Sequence, residues 1–212
     1  MKSTKIAASL LVMSLALTAG AAHAWGLANV LPSASGGGGG STANAGDVAK
    51  NARNALYSFV KSDLGLLAAL GGYENLAANQ KLLDGMKTGD AAASKEDTET
   101  LVTLHNSMNP VIEAKTKENM KLDANNKALA GKSMVEYVKG LVSSKQLLSS
   151  VQDLAKNPMA LGTDASNILY VAKELPGIVS GGVSTTSTLF KYLGANGVDL
   201  SEAKNVAKGM GT

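Results

Sequence analysis

The 212-residue chain has no cysteine and a single arginine, and its longest apolar run is short. Each scarcity removes a class of protein. A lipoprotein anchor needs a cysteine at the cleavage point, so that route to a membrane is closed, and no disulfide can staple the fold. Arg53 is the only arginine among 20 basic residues. Planar, bidentate grasp of phosphates and base edges favours arginine, so a lysine-only basic set argues against nucleic acid as a partner. The longest apolar run covers residues 6–17, interrupted only by Ser9 and Ser14. Spanning a bilayer takes ~20 apolar residues, and no later stretch qualifies, so no transmembrane segment is expected in the mature chain. Alternating β-branched runs are missing too, apart from an ambiguous stretch at 183–188.

The N-terminus is more positive in what it says. Lys2 and Lys5 precede the apolar run, and Ala22-His23-Ala24 follows it. Basic residues, an apolar core and an A-x-A exit form the secretory pattern, so residues 1–24 are expected to be a cleaved signal peptide. The protein is then exported, to the periplasm or beyond the cell. Removing 24 of the 212 residues leaves 188, enough to bury a core without disulfides. Two lysines leave with the leader, which lowers the formal charge from +3 to +1. That near-neutral balance is a second argument against a polyanionic partner.

Residues 25–44 divide into an apolar arm and a spacer. The arm, 25–32, carries Trp25, Leu27, Val30, Leu31 and Pro32; the spacer holds five consecutive glycines, 36–40, flanked by serines. Such a spacer cannot bury enough to order itself and is expected to be a flexible tether. Residues 45–212 are expected to form one helical domain.

Within that domain apolar residues recur at three- and four-residue spacing. Val48, Ala52, Leu56, Phe59, Val60, Leu64, Leu67 and Leu70 fall on one stripe, which Gly71-Gly72 should end. A shorter helix is expected over 73–86. Ser94 with Asp97 reads as the start of a third, carrying Leu101, Leu104, Met108, Val111 and Ile112, its stripe running on to Leu122 and Leu129. Pro110 predicts a kink or break at Met108-Asn109. Gly131 should close a helix, and Ser133 with Glu136 should cap the next, which Asn157-Pro158 stops. Thr163 or Asp164 opens another, bounded by Pro176; a separate small-residue helix with Ile178, Val179, Val183, Leu189, Phe190 and Leu193 follows. Asp199 with Glu202 caps a last one. Six or seven helices with short connections predict an all-α, soluble multi-helix bundle.

Motifs that would carry chemistry are weak. Gly131-Lys132-Ser133 ends like a phosphate-binding loop, but position 126 is asparagine where the loop needs glycine. Ser58 and Lys61 fit S-x-x-K, Ser107-Met108-Asn109 resembles S-x-N, and Lys87-Thr88-Gly89 matches K-T-G, yet their order along the chain is wrong for a penicillin-binding or β-lactamase site. His105 is the only histidine left after the leader is removed, with no E-x-x-H partner, and reads as a satisfied, partly buried imidazole. Asp123-Ala124-Asn125 opens like a calcium loop but lacks its glycine. Glu96, Asp97 and Glu99 read as a solvated helix start. No catalytic, cofactor or metal site is therefore expected. Gly177 and Gly181, four apart, are expected to let helix backbones approach, inside the core rather than in self-association.

Three functional readings follow. The first is a non-catalytic protein acting in protein–protein interaction or as a structural component. Its contact is the arm, where Trp25, Leu27, Val30 and Leu31 would each contribute ~1.5–3 kcal/mol if fully buried in a partner groove. The second is a carrier or chaperone of an apolar ligand, held among Leu-, Val- and Met-rich helices. The third is a serine-type hydrolase using Ser58 and Lys61.

Overall fold

The computed structural model describes residues 44–86, 92–118 and 120–208. Six α-helices and no strand occur among them. The leader, the arm with Trp25, Leu27, Val30 and Leu31, and Lys87-Thr88-Gly89 lie outside the described residues.

Helix α1, Ala45–Leu70, begins at Asn44, whose Oδ1 accepts from the Gly46 N–H at 2.9 Å. It ends where Gly71 turns to φ 75° and its N–H donates to the Leu67 carbonyl at 2.8 Å, a conformation glycine reaches without Cβ strain. The whole expected stripe from Val48 to Leu70 is buried, but so are Ala49, Ala55 and Leu66 beside it. A helix buried on more than one face sits between neighbours. Helices α2 (Leu76–Asp84), α3 (Lys95–Lys117), α4 (Ala124–Ala155), α5 (Ala165–Ala195) and α6 (Ser201–Lys208) complete the order, with 3-10 turns at Pro158–Ala160 and Gly162–Asp164. Helix α1 packs on α3 and α4, and α5 packs on the same two helices. A shorter contact joins α1 to α5 across the middle, α2 lies on α1, and α6 on α4. The all-α bundle expected from periodicity is what forms.

Three expected boundaries are not boundaries. The helix expected to kink or break before Pro110 does not break but runs on to Lys117. Proline removes the bond to the Asn106 carbonyl, but Asn106 and Pro110 are both exposed, so water can serve that oxygen. The stripe does not continue through Leu122 in one helix; α3 ends first, and Leu122 is buried from the connection. Gly131 and Ser133 lie inside α4, whose cap is Asp123 accepting from the Asn126 N–H at 2.8 Å. Gly131 meets a close neighbour instead: a Cβ there would stand 3.3 Å from the Asp199 carbonyl oxygen. Pro176 likewise falls within α5 and does not divide it. Ser94, by contrast, caps α3 as its sequence suggests, accepting from the Asp97 N–H at 3.0 Å.

A candidate functional site: the polar seam inside the bundle

The core carries an ionisable pair at its centre. Asp63 occupies a core position on α1, four residues beyond Phe59 and four before Leu67, where the stripe would place an apolar side chain. His105 holds the matching position on α3, between Leu101 and Met108. His105 Nδ1 lies 2.7 Å from Asp63 Oδ2, with the two side chains 2% and 0% exposed. Phe59 packs against the imidazole with ring centroids 5.1 Å apart, and edge-on against Tyr137 of α4, also at 5.1 Å.

Tyr137 is fully buried, and its hydroxyl makes no hydrogen bond. Burial, then the negative charge of Asp63, hold that hydroxyl in its neutral form; Thr185 pulls the other way, and Glu113 adds a smaller push in the first direction. Thr185, on α5, reaches Asn109 Oδ1 at 3.0 Å and Glu113 Oε1 at 3.2 Å. One hydroxyl proton cannot make two full hydrogen bonds. Turning the Asn109 amide over, so that its NH2 donates to Thr185 and Thr185 donates to Glu113, satisfies all three groups. His105, Asn109 and Glu113 stand four residues apart along α3, so one polar line descends from half-buried Glu113 to the sealed pair.

Burial raises the Asp63 carboxyl above the ordinary carboxylate range, and the charge and hydrogen bond of His105 offset this only in part. The second carboxylate oxygen, Oδ1, has no hydrogen-bond partner. An imidazole held by a carboxylate is the arrangement that orients a general base. Here it lacks access, the two side chains being 2% and 0% exposed; one surface cleft, about 510 Å³, is lined by Lys81, Leu82, Met86, Asp97 and Thr100 among others. The second, about 420 Å³, is bordered by Lys117, Lys121, Lys191, Tyr192 and Asn196. Neither includes Asp63, His105 or Tyr137.

The residues singled out in the sequence fall elsewhere. Ser58 donates its hydroxyl to the Asn54 carbonyl of its own helix at 3.1 Å, and Lys61 is exposed. His105, expected to be partly buried, is fully so. Arg53 is also buried, and Nη1 donates to the Ala92 carbonyl at 2.9 Å. Asn167 donates to the next carbonyl, Ala93, at 3.2 Å, so the sole arginine pins the entry to α3 together with an α5 side chain. The close helix approach expected at Gly177 and Gly181 lies one residue away. Gly177 is exposed and a Cβ there would meet nothing within 4 Å; at Gly181 it would meet only Asn109 Nδ2, at 3.9 Å. Gly182 is the packed residue, where a Cβ would stand 3.0 Å from Leu141 Cδ1. Gly65 is tighter still, since a Cβ there would collide with the Ser133 hydroxyl.

Asp63 carried a sequence signal that the stripe reading passed over: an acid at a core register, matched by a lone histidine at the same register of a second helix. Among the described residues no group of three or more His, Asp or Glu side chains could hold a metal ion, and no helix is long and apolar enough to cross a membrane. The fold and seam define an all-α bundle with a buried acid–imidazole tie. No protein-family model, curated protein or solved structure matches the chain.

Proposed function

We propose that the chain is an exported, non-catalytic helical protein of the periplasm or cell exterior, acting through protein–protein interaction or as a structural component. The basic, apolar and A-x-A order of residues 1–24 supports export. The observation that most favours a non-catalytic role is the sealing of Asp63, His105 and Tyr137, at 0%, 2% and 0% exposure. Acid–base chemistry needs a group within hydrogen-bond reach of its substrate, and these groups face only other core side chains. Among the described residues Ser58 donates to the Asn54 carbonyl of its own helix, and Lys61 is exposed. Of the methionines, Met108 and Met134 serve as core, so they offer a carried ligand nothing, while Met159 is exposed.

In this reading the contact with a partner is the arm, with Trp25, Leu27, Val30 and Leu31 as its apolar anchors. The test compares the mature chain with a variant lacking residues 25–40, by sedimentation velocity and by pull-down from envelope extract of the native host. An assembly that depends on the arm is expected. Identical behaviour of the two forms overturns the proposal.

A further inference from the structure

We propose that the Asp63–His105 contact is a proton-operated clasp, in which one proton shared between the two side chains holds α1 to α3 and its loss as pH rises loosens that seam. The contact joins side chains 42 residues apart on two core helices, at 2.7 Å. Both are sealed from water, so no solvent can take the proton's place.

The surroundings offer no substitute charge. From α4 the Tyr137 hydroxyl faces the pair, and it is held neutral. From α5 comes Thr185, which carries no charge. On α3 itself Glu113, bonded to Thr185, disfavours further negative charge at Tyr137. Among the described residues the charge that acts on Asp63 is that of His105. With one proton the pair is neutral overall and hydrogen-bonded. Without it a carboxylate remains in apolar surroundings, with Oδ1 lacking any donor. An uncompensated buried charge is strongly unfavourable, and the way to relieve it is to admit water between the helices.

The direction of the pH effect follows from linkage. Burial raises Asp63, so its contribution to stability is complete below the ordinary carboxylate range and is lost as pH rises through the raised folded value. Above the ordinary carboxylate range the unfolded chain has released the Asp63 proton, whereas the folded carboxyl, raised by burial, keeps more of it. In that interval the unfolding constant rises with pH, by at most about tenfold per unit for one proton, until the folded carboxyl ionises.

The experiment is urea unfolding of the full mature chain and of Asp63→Asn, followed by circular dichroism from pH 5 to pH 9. Asparagine still accepts from a neutral imidazole, but it cannot share a proton. The wild-type unfolding constant is expected to climb as pH rises through the raised folded value of Asp63, by up to about tenfold per pH unit, and that of Asp63→Asn to lack this climb. Should Asp63→Asn not fold, the paired replacement Asp63→Leu/His105→Leu takes its place, with the same expectation. A flat wild-type profile, or an equal climb in the substituted chain, overturns the clasp.

Discussion

Asp63 and His105 meet at 2.7 Å in the middle of the bundle, and of the four atoms that could satisfy the two side chains' polar needs, Asp63 Oδ1 is left with no partner. The pair is thus strained electrostatically although its contact is short. Removing one member exposes that imbalance. His105→Ala is expected to lower stability by about 3–5 kcal/mol, because it leaves a carboxyl buried without its donor. Replacing both, as Asp63→Leu/His105→Leu, should cost much less and is expected to leave stability near the wild-type value. Urea unfolding at pH 7 on Asp63→Leu, His105→Leu and their double gives the coupling between them; additive losses would contradict the pairing.

Tyr137 offers a second check. Its hydroxyl is buried with no hydrogen bond, so Tyr137→Phe removes an unsatisfied group and keeps the ring that packs on Phe59. Stability is expected to be unchanged or to rise by up to about 1 kcal/mol. Burial also raises the hydroxyl's pKa, so Tyr137 contributes stability that is whole below the ordinary tyrosine range and is lost as pH rises through the folded value. Thermal melts above pH 10 should therefore fall more steeply for wild type than for Tyr137→Phe. Parallel curves would remove Tyr137 from the pH response.

Two glycines should behave oppositely on replacement by alanine. At Gly65 the new Cβ collides with Ser133, and a cost of about 1–3 kcal/mol is expected. Pairing it with Ser133→Gly should restore part of the loss. At Gly177 the Cβ enters open space in a helix interior, where alanine is favoured by roughly 0.5–1 kcal/mol. Melting temperatures decide both. A loss at Gly177, seen only at high protein concentration, would place that face in an association.

The start of α4 gives a fourth contrast. Asp123→Ala removes the side chain that accepts from Asn126 and is expected to cost about 1 kcal/mol. Asp123→Asn should recover most of it. If neither variant differs from wild type in chemical unfolding, the cap contributes nothing measurable.

Much of the bundle was legible in the chain because it depends on neighbours. The stripe from Val48 to Leu70, the Ser94 start of α3 and the Gly71 end of α1 each follow from interactions within four residues, and each is found where its residues suggest. The misreadings share one cause. Pro110, Pro176 and the Gly131-to-Ser133 segment look like interruptions locally, yet all three lie within helices. Packing against other helices outweighs one lost bond where water can serve the freed carbonyl, as it can at exposed Asn106. The expected glycine pair was misplaced because a four-residue spacing says nothing of rotation, which put Gly182 rather than Gly177 against Leu141.

The amino-acid sequence alone determined that the domain is helical, where most of its apolar faces run, and that no disulfide holds it, since periodicity, capping and composition act over a few residues. Only the tertiary structure decided that an aspartate on α1 and a histidine on α3 share one sealed site. Their encounter depends on the register and rotation with which two helices, 42 residues apart at that point, close on Phe59 and Tyr137. No local preference encodes that register; it is set by the fit of all the side chains in the core at once.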